Sequence, residues 1–164
     1  MPEKRTIKRA ARAKRLGKAP STQAGEFVRE EIHHVREGKH GARSTKQAIA
    51  IGLSKARRSG VKLRAPEKGT TSEKTRRNAQ HALRRSRSGR KPSARRQRAT
   101  SSALRREGRS AVSRYALAMK SRSTARKRGR RARSAAAKKA VHTKGRRGLR
   151  AAARKAARTR SRKK

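Results

Sequence analysis

The chain has no cysteine and no tryptophan, one phenylalanine (Phe27) and one tyrosine (Tyr115). Without thiols, disulfides, thiolate catalysis and cysteine-ligated zinc are all excluded. Without aromatics a large core cannot be filled, since the apolar fraction is 30% and much of it is alanine, which buries little area. Acidic residues are equally scarce, with eight glutamates against 55 Lys+Arg in 164 residues, a net charge of +47. No apolar run approaches the ~18 residues needed to span a bilayer. The N-terminus is Arg-rich and acid-poor like a mitochondrial presequence. It has no continuous apolar segment of signal-peptide type, and Glu3 with only Ile7 and Leu16 makes a poor presequence. A cytoplasmic protein is expected.

What is present points to a polyanion. Duplex DNA carries about one negative charge per 1.7 Å, so 47 charges match about 80 Å of axis, roughly 24 base pairs. Releasing counterions from that length drives tight, salt-sensitive, sequence-independent binding. Acidic membranes are the competing partner, but interfacial binding needs bulky apolar anchors, and here the basic residues are flanked by Ala and Ser. Arginine outnumbers lysine 36 to 19, which favours bidentate phosphate contacts and entry into narrow minor grooves.

The charge is unevenly spread. Residues 1–20 hold eight Lys/Arg and one Glu and read as a basic arm, helix-forming from Glu3 to Leu16 and stopped by Gly17 and Pro20. Residues 21–63, with nine Lys/Arg and four Glu, are the one interval where apolar periodicity, caps and turn signals agree. Ser21 or Thr22 caps a helix over about 22–37. In it Ala24, Phe27, Val28, Glu31, Ile32 and Val35 recur at three and four residues, which puts the apolar ones on one face. Gly38 terminates it. Ser44, with Gln47 in capping-box spacing, starts a second helix over 45–58 with Ala48, Ile49, Gly52, Leu53 and Ala56 on its apolar stripe. Gly60 ends it, and Val61 is placed for the contact that accompanies such a cap. The expected core of this αα-hairpin is Phe27, Val28, Ile32, Val35, Ile49 and Leu53.

Residues 64–164 hold 38 Lys/Arg against three Glu in an alphabet of Arg, Lys, Ala, Ser, Gly and Thr. Ser72–Arg87 and Ser101–Arg128 have helix-like content. In the second, Leu104, Ala111, Tyr115, Ala118 and Met119 fall roughly on one face that Gly108 interrupts. Ala-Leu-Arg-Arg occurs at 82–85 and 103–106, weak grounds for a repeat in a sequence this biased. Beyond Ser134 closely spaced positive charges repel one another. The fold class expected is therefore all-α: a short helical hairpin with long basic flanks, largely disordered or transiently helical.

Three groupings could carry chemistry. The cations expected on nucleic acid are Lys46, Lys55, Arg57 and Arg58 in the hairpin and Arg84, Arg85, Arg87, Arg90, Lys91, Arg95, Arg96, Arg128, Arg130 and Arg131 beyond it. Arg87-Ser88-Gly89-Arg90-Lys91-Pro92 resembles the core of an AT-hook, and Arg128-Gly129-Arg130 matches it in part. Arg/Gly-rich chain produces such matches by chance, so they count as cations rather than as a motif. Finally, Glu30 with His34 and His33 with Glu37 are each i,i+4, a spacing that can hold a metal, with His40 nearby. No third ligand is fixed and no HExxH order is present, so ordinary helix-surface pairing is the expectation, with no metal and no cofactor. No nucleophile with a positioned base and orienting acid can be assembled, so no enzyme is expected.

The hairpin has two readings. A helix-turn-helix would lay its second helix in the major groove, but that motif turns in three or four residues and has a third supporting helix. Some 40 residues without disulfide or metal are at the limit of independent folding, so pairing of two hairpins into a four-helix bundle is weighted slightly higher.

The stretch GEFVREEIHHVREGKHGARSTKQAIAIGLSKARRSGVKL, and within it Glu37 to Ser54 above all, resembles a block found in a bacterial family of small, very basic proteins of unknown function. Members of that family are sometimes labelled DNA-binding or histone-like. The resemblance covers residues 22–63 and brings no active site. The Ala/Arg/Lys tail is similar to linker-histone tails and protamines in composition only. Together these readings give a nucleoid-associated, histone-like DNA-binding protein that condenses DNA by neutralising phosphate. The alternatives are an RNA- or ribosome-associated basic protein and an adaptor whose hairpin docks a protein.

Overall fold

A computed structural model describes residues 2–88 and 93–161, apart from the Arg87 side chain. The described residues form seven α-helices: α1 Lys4–Arg15, α2 Pro20–Arg36, α3 Thr45–Arg58, α4 Glu73–Ser88, α5 Ala94–Arg105, α6 Arg114–Lys127 and α7 Gly129–Ser161, with a 3-10 turn at Ser110–Val112. None of them is long and apolar enough to cross a membrane. All-α is as expected. Disordered or transiently helical flanks are not: the flanks are helical, and that expectation is corrected. Its error was one of magnitude. A like-charge pair at i,i+4 costs a few tenths of a kcal/mol, and Ala, Arg and Lys are all strong helix formers.

The chain divides into two compact units, Met1–Ala118 and Met119–Lys164. The first is built on the hairpin of α2 and α3. α2 starts earlier than expected, with Pro20 in its first turn behind Ala19 and no side-chain cap, so neither Ser21 nor Thr22 is the cap. α3 begins with half of the expected capping box: Ser44 Oγ accepts the Gln47 amide at 3.2 Å, while Gln47 Oε1 accepts from the amide of Arg43, one residue before the cap, at 2.7 Å. Both helices end in paired i→i−5 and i→i−3 bonds around a left-handed glycine. Lys39 N donates to His34 O and Gly38 N to Val35 O at one end; Val61 N donates to Ala56 O and Gly60 N to Arg57 O at the other. Gly52 has a second role. A Cβ there would lie 2.6 Å from Val28 Cα and 2.9 Å from its nitrogen, so this glycine permits backbone-to-backbone contact between α2 and α3.

Two small cores result. Ala24, Phe27, Ala56 and Val61 pack with Leu53 and Leu63 and with Ala10 from α1; Val35, Ala42 and Ala48 pack with Ile32, Ala111 and Val112. Of the expected hairpin core, Phe27 and Val35 are fully buried, while Ile32 and Leu53 flank them and Val28 and Ile49 are partly exposed. Residues 1–20 are therefore more than an arm, since α1 packs on α2 with Thr6, Ala10 and Ala13 buried. α4 packs on α3, burying Ala79 and Ala82.

The segment after α5 returns to the hairpin. Gly41 N donates to Leu104 O at 2.8 Å and Ala42 N to Gly108 O at 2.9 Å. Thr45 Oγ1 donates to Ala111 O at 2.6 Å and Arg36 Nε to Val112 O at 3.1 Å. A Cβ at Gly41 would overlap the Glu107 carbonyl, so glycine is required for this crossing. Val112 is wholly buried in the second core. The stripe expected along 104–119 is thereby split: Ala111 turns inward, whereas Tyr115 is 74% exposed and Met119 is exposed too. α1 and this returning segment each cover part of the hairpin's apolar surface.

In the second unit α7 buries no residue. It is interrupted at Gly145, where φ is +61° and ψ 178°, so two helical stretches meet at a sharp bend.

Candidate functional site

The glutamates are drawn together. Glu3 precedes α1, Glu30 and Glu31 lie mid-α2, and Glu37 ends α2. Burial of Glu31 is complete, at 0% exposure. Its Oε2 lies 2.6 Å from Lys55 Nζ on α3, and its Oε1 lies 3.2 Å from His40 Nε2 in the connecting loop. Neither carboxylate oxygen receives a well-directed hydrogen bond, so these contacts are close but poorly aimed. Lys55 also stands 3.5 Å from Glu30 Oε1, and Glu30 Oε2 accepts the Glu3 amide at 3.2 Å, tying α1 to α2. His34 Nε2 meets Glu3 Oε1 at 2.8 Å; Lys39 Nζ lies 3.4 Å from the same oxygen and 3.1 Å from Glu37 Oε2.

These contacts shift the exposed members. The hydrogen bond from His34, then that from Lys39, hold the Glu3 carboxyl below its ordinary range. Glu37, more than any other neighbour, pushes the Lys39 ammonium upward. A cleft of about 190 Å³ opens beside the cluster, lined by Arg5, Arg9, Arg29 and His33 among others.

The i,i+4 pairs anticipated within α2 are not the ones formed. Glu31 pairs with a loop histidine and a facing-helix lysine, and His34 pairs with α1's Glu3. Sequence reasoning passed over Glu31 as a site residue. The available signal was a carboxylate inside the apolar stripe that runs from Ala24 to Val35.

The expected nucleic-acid cations divide into two groups. Lys46 and Arg58 are exposed on α3. Lys55 is engaged by Glu30 and Glu31, and Arg57 is 6% exposed with its guanidinium donating to Leu63 O and Arg64 O. Burial lowers the Arg57 pKa, and its role here is to fasten the chain after α3. Arg84 on α4, Arg95 and Arg96 on α5, and Arg128, Arg130 and Arg131 at the α6–α7 junction are exposed; Arg85 is partly so. The Arg87 side chain, Arg90 and Lys91, and with them the AT-hook-like stretch, lie outside the described residues. Two further rows were not singled out from the sequence. Arg147, Arg150, Arg154, Lys155 and Arg158 line one side of α7, and Lys4, Lys8, Arg12 and Arg15 line one side of α1. Both follow the spacing of three and four residues that aligns side chains along a helix.

These features describe a class: an all-helical protein whose glutamates concentrate at one internal cluster and whose exposed surface is overwhelmingly cationic. Residues 3–69 match a family model described as a family of unknown function (DUF6496). That span is wider than the 22–63 resemblance and takes in α1. No curated protein and no solved structure matches the chain.

Proposed function

We propose that the protein binds nucleic acid, DNA in the first instance, by neutralising phosphate along its exposed cationic helices, in the manner of a nucleoid-associated, histone-like protein. One observation carries this reading. Four of the eight carboxylates are spent within the fold, Glu3, Glu30, Glu31 and Glu37 on Lys39, Lys55 and the two histidines, while the arginine rows face outward. Residues 119–164 contain 21 Lys/Arg and no acidic residue at all. Along α7 the cations at 147, 150, 154, 155 and 158 span about 16 Å at a rise of ~1.5 Å per residue, a mean spacing of about 4 Å that is near the ~3.4 Å charge spacing of one DNA strand.

The test is a salt titration of the full-length chain on a duplex of roughly 24 base pairs and on an RNA hairpin of equal length. Each phosphate neutralised contributes about −0.9 to the slope of log K against log salt. Replacing Arg147, Arg150, Arg154, Lys155 and Arg158 together by Gln should flatten the DNA slope by about 4 units. Arg57→Gln, at a guanidinium already committed to carbonyls, should leave the slope unchanged. A slope indifferent to the five-fold change refutes the proposal, and steeper, tighter binding to the hairpin RNA moves it to RNA.

A further inference from the structure

The geometry points to a divalent-cation site formed by Glu31, His34 and His40, of the kind that takes zinc or a similar borderline ion. One ligand atom of each of the three residues lies within 4.8 Å of the others. A tetrahedral ion with bonds near 2.1 Å holds its ligands roughly 3.4 Å apart, so side-chain rotation of about an ångström would close the set. Proximity alone would not distinguish this from ion pairing. The hydrogen-bond directions show which ring nitrogen of each histidine is left to face an ion.

His40 Nδ1 lies 3.0 Å from Gly41 O. A carbonyl only accepts, so Nδ1 carries the hydrogen, and in the neutral ring the lone pair sits on Nε2. That nitrogen faces Glu31 Oε1 at 3.2 Å. Two lone pairs opposed at that distance are relieved either by a proton on Nε2 or by a bound cation. The same logic applies to His34. Its Nε2 meets Glu3 Oε1 at 2.8 Å, and a carboxylate oxygen accepts, so with Nε2 donating there Nδ1 holds the lone pair of the neutral ring. Metal-binding histidines ordinarily donate their second ring N–H to a carbonyl or a carboxylate, which fixes the tautomer and raises ligand basicity. Here one histidine has the carbonyl and the other has the carboxylate.

Glu31 supplies the third element. It is fully buried, and both its oxygens lack a well-directed hydrogen bond. Lys55 Nζ approaches Oε2 and offsets part of the charge, which leaves Oε1 on the histidine side as the ligand oxygen. Around the cluster four carboxylates stand close to the ammonium groups of Lys39 and Lys55, with Arg5, Arg9 and Arg29 lining the adjoining cleft. Two imidazoles and one carboxylate form a donor set suited to Zn(II), Co(II) or Ni(II) rather than to Mg(II) or Ca(II). Bound there, the ion would join mid-α2 to the loop that receives the returning segment 104–112.

The experiment titrates the metal-free full-length chain with Zn(II) in competition with a chromophoric chelator. The same chain is then loaded with Co(II) and its visible spectrum recorded. One equivalent should bind, Co(II) should give the intense bands of a four- or five-coordinate N/O site, and zinc should shift the ring 15N resonances of His34 and His40 only. His34→Gln with His40→Gln should weaken binding by about 100-fold or more, and Glu3→Gln, which removes the carboxylate behind His34, by about 10–100-fold. His33→Gln, altering the exposed neighbour, should change nothing. Failure to bind an equivalent overturns the site, as does undiminished binding by the double variant or zinc shifts centred on His33, His81 or His142. Should a variant lose its helical circular dichroism, the 15N shifts of the unaltered chain decide the question.

Discussion

Gly52→Ala places two physical effects in direct opposition. In an exposed helix interior, alanine is favoured over glycine by roughly 1 kcal/mol, so propensity alone makes the variant more stable. Gly52 is not in an exposed interior. The new Cβ would meet Val28 Cα at 2.6 Å, Val28 N at 2.9 Å and Phe27 O at 3.0 Å, all main-chain atoms that cannot swing aside. Carbon atoms pack at about 3.5–4.0 Å, so α2 and α3 must separate by roughly an ångström. Such a shift loosens Phe27 and Ala24 of α2 against Ala56 of α3 along the same contact. Overpacking of this kind costs about 1–3 kcal/mol, and two helices displaced as a body belong at the upper end. The net expectation is a loss of about 1–2 kcal/mol after the propensity gain is subtracted. Urea unfolding of the full-length chain, followed at 222 nm, measures it as a lower midpoint at unchanged m-value. A variant equal to or more stable than the parent would refute close backbone packing between α2 and α3.

Two other outcomes follow from the same architecture. Val112→Ala, at a wholly buried side chain in the second core, should cost about 1.5–3 kcal/mol, whereas Val141→Ala, 52% exposed on α7, should stay within about 0.5; equal effects in urea unfolding would mean that Val112 is no part of a core. Arg76 and then Arg77 hold the Glu73 carboxyl below its ordinary value at the start of α4. Because the folded-state pKa is the depressed one, the tie is intact above the unfolded carboxylate pKa and is lost as pH falls through the folded value. NMR titration should show a Glu73 midpoint below that of a free glutamate, raised in Arg76→Gln; an identical midpoint in both would dismiss the ion pair.

Much of the hairpin was legible because its signals are local. Ser44 with Gln47, and glycines at 38 and 60, act within one turn of chain, and each does what its chemistry requires. The α1–α2 contact was not legible, since it is made by Thr6, Ala10 and Ala13, residues too small to register as an apolar stripe. Val112 gives no periodic signal either: it is a lone valine after Gly108 in polar surroundings, and only the fold brings it to Val35. The histidine cluster was misread because i,i+4 arithmetic pairs residues on one helix, whereas the partners of Glu31 come from a loop and from the facing helix. For α7 the residue types were read correctly, and charge repulsion was given more weight than the propensity of Ala, Arg and Lys.

The bonds between the α2–α3 region and residues 104–112 join positions 63 to 76 apart in sequence. Closing a ring of that size costs on the order of 4 kcal/mol in chain entropy, about what four hydrogen bonds return at roughly 1 kcal/mol each. The balance is therefore set by one buried valine. When such a clasp opens it exposes Val35, Ala42 and Ala48 to water and releases α5, while α4 keeps its own contact with α3. A fragment ending at residue 69, the limit of the family match, would keep the first core whole and leave the second without Ala111 and Val112.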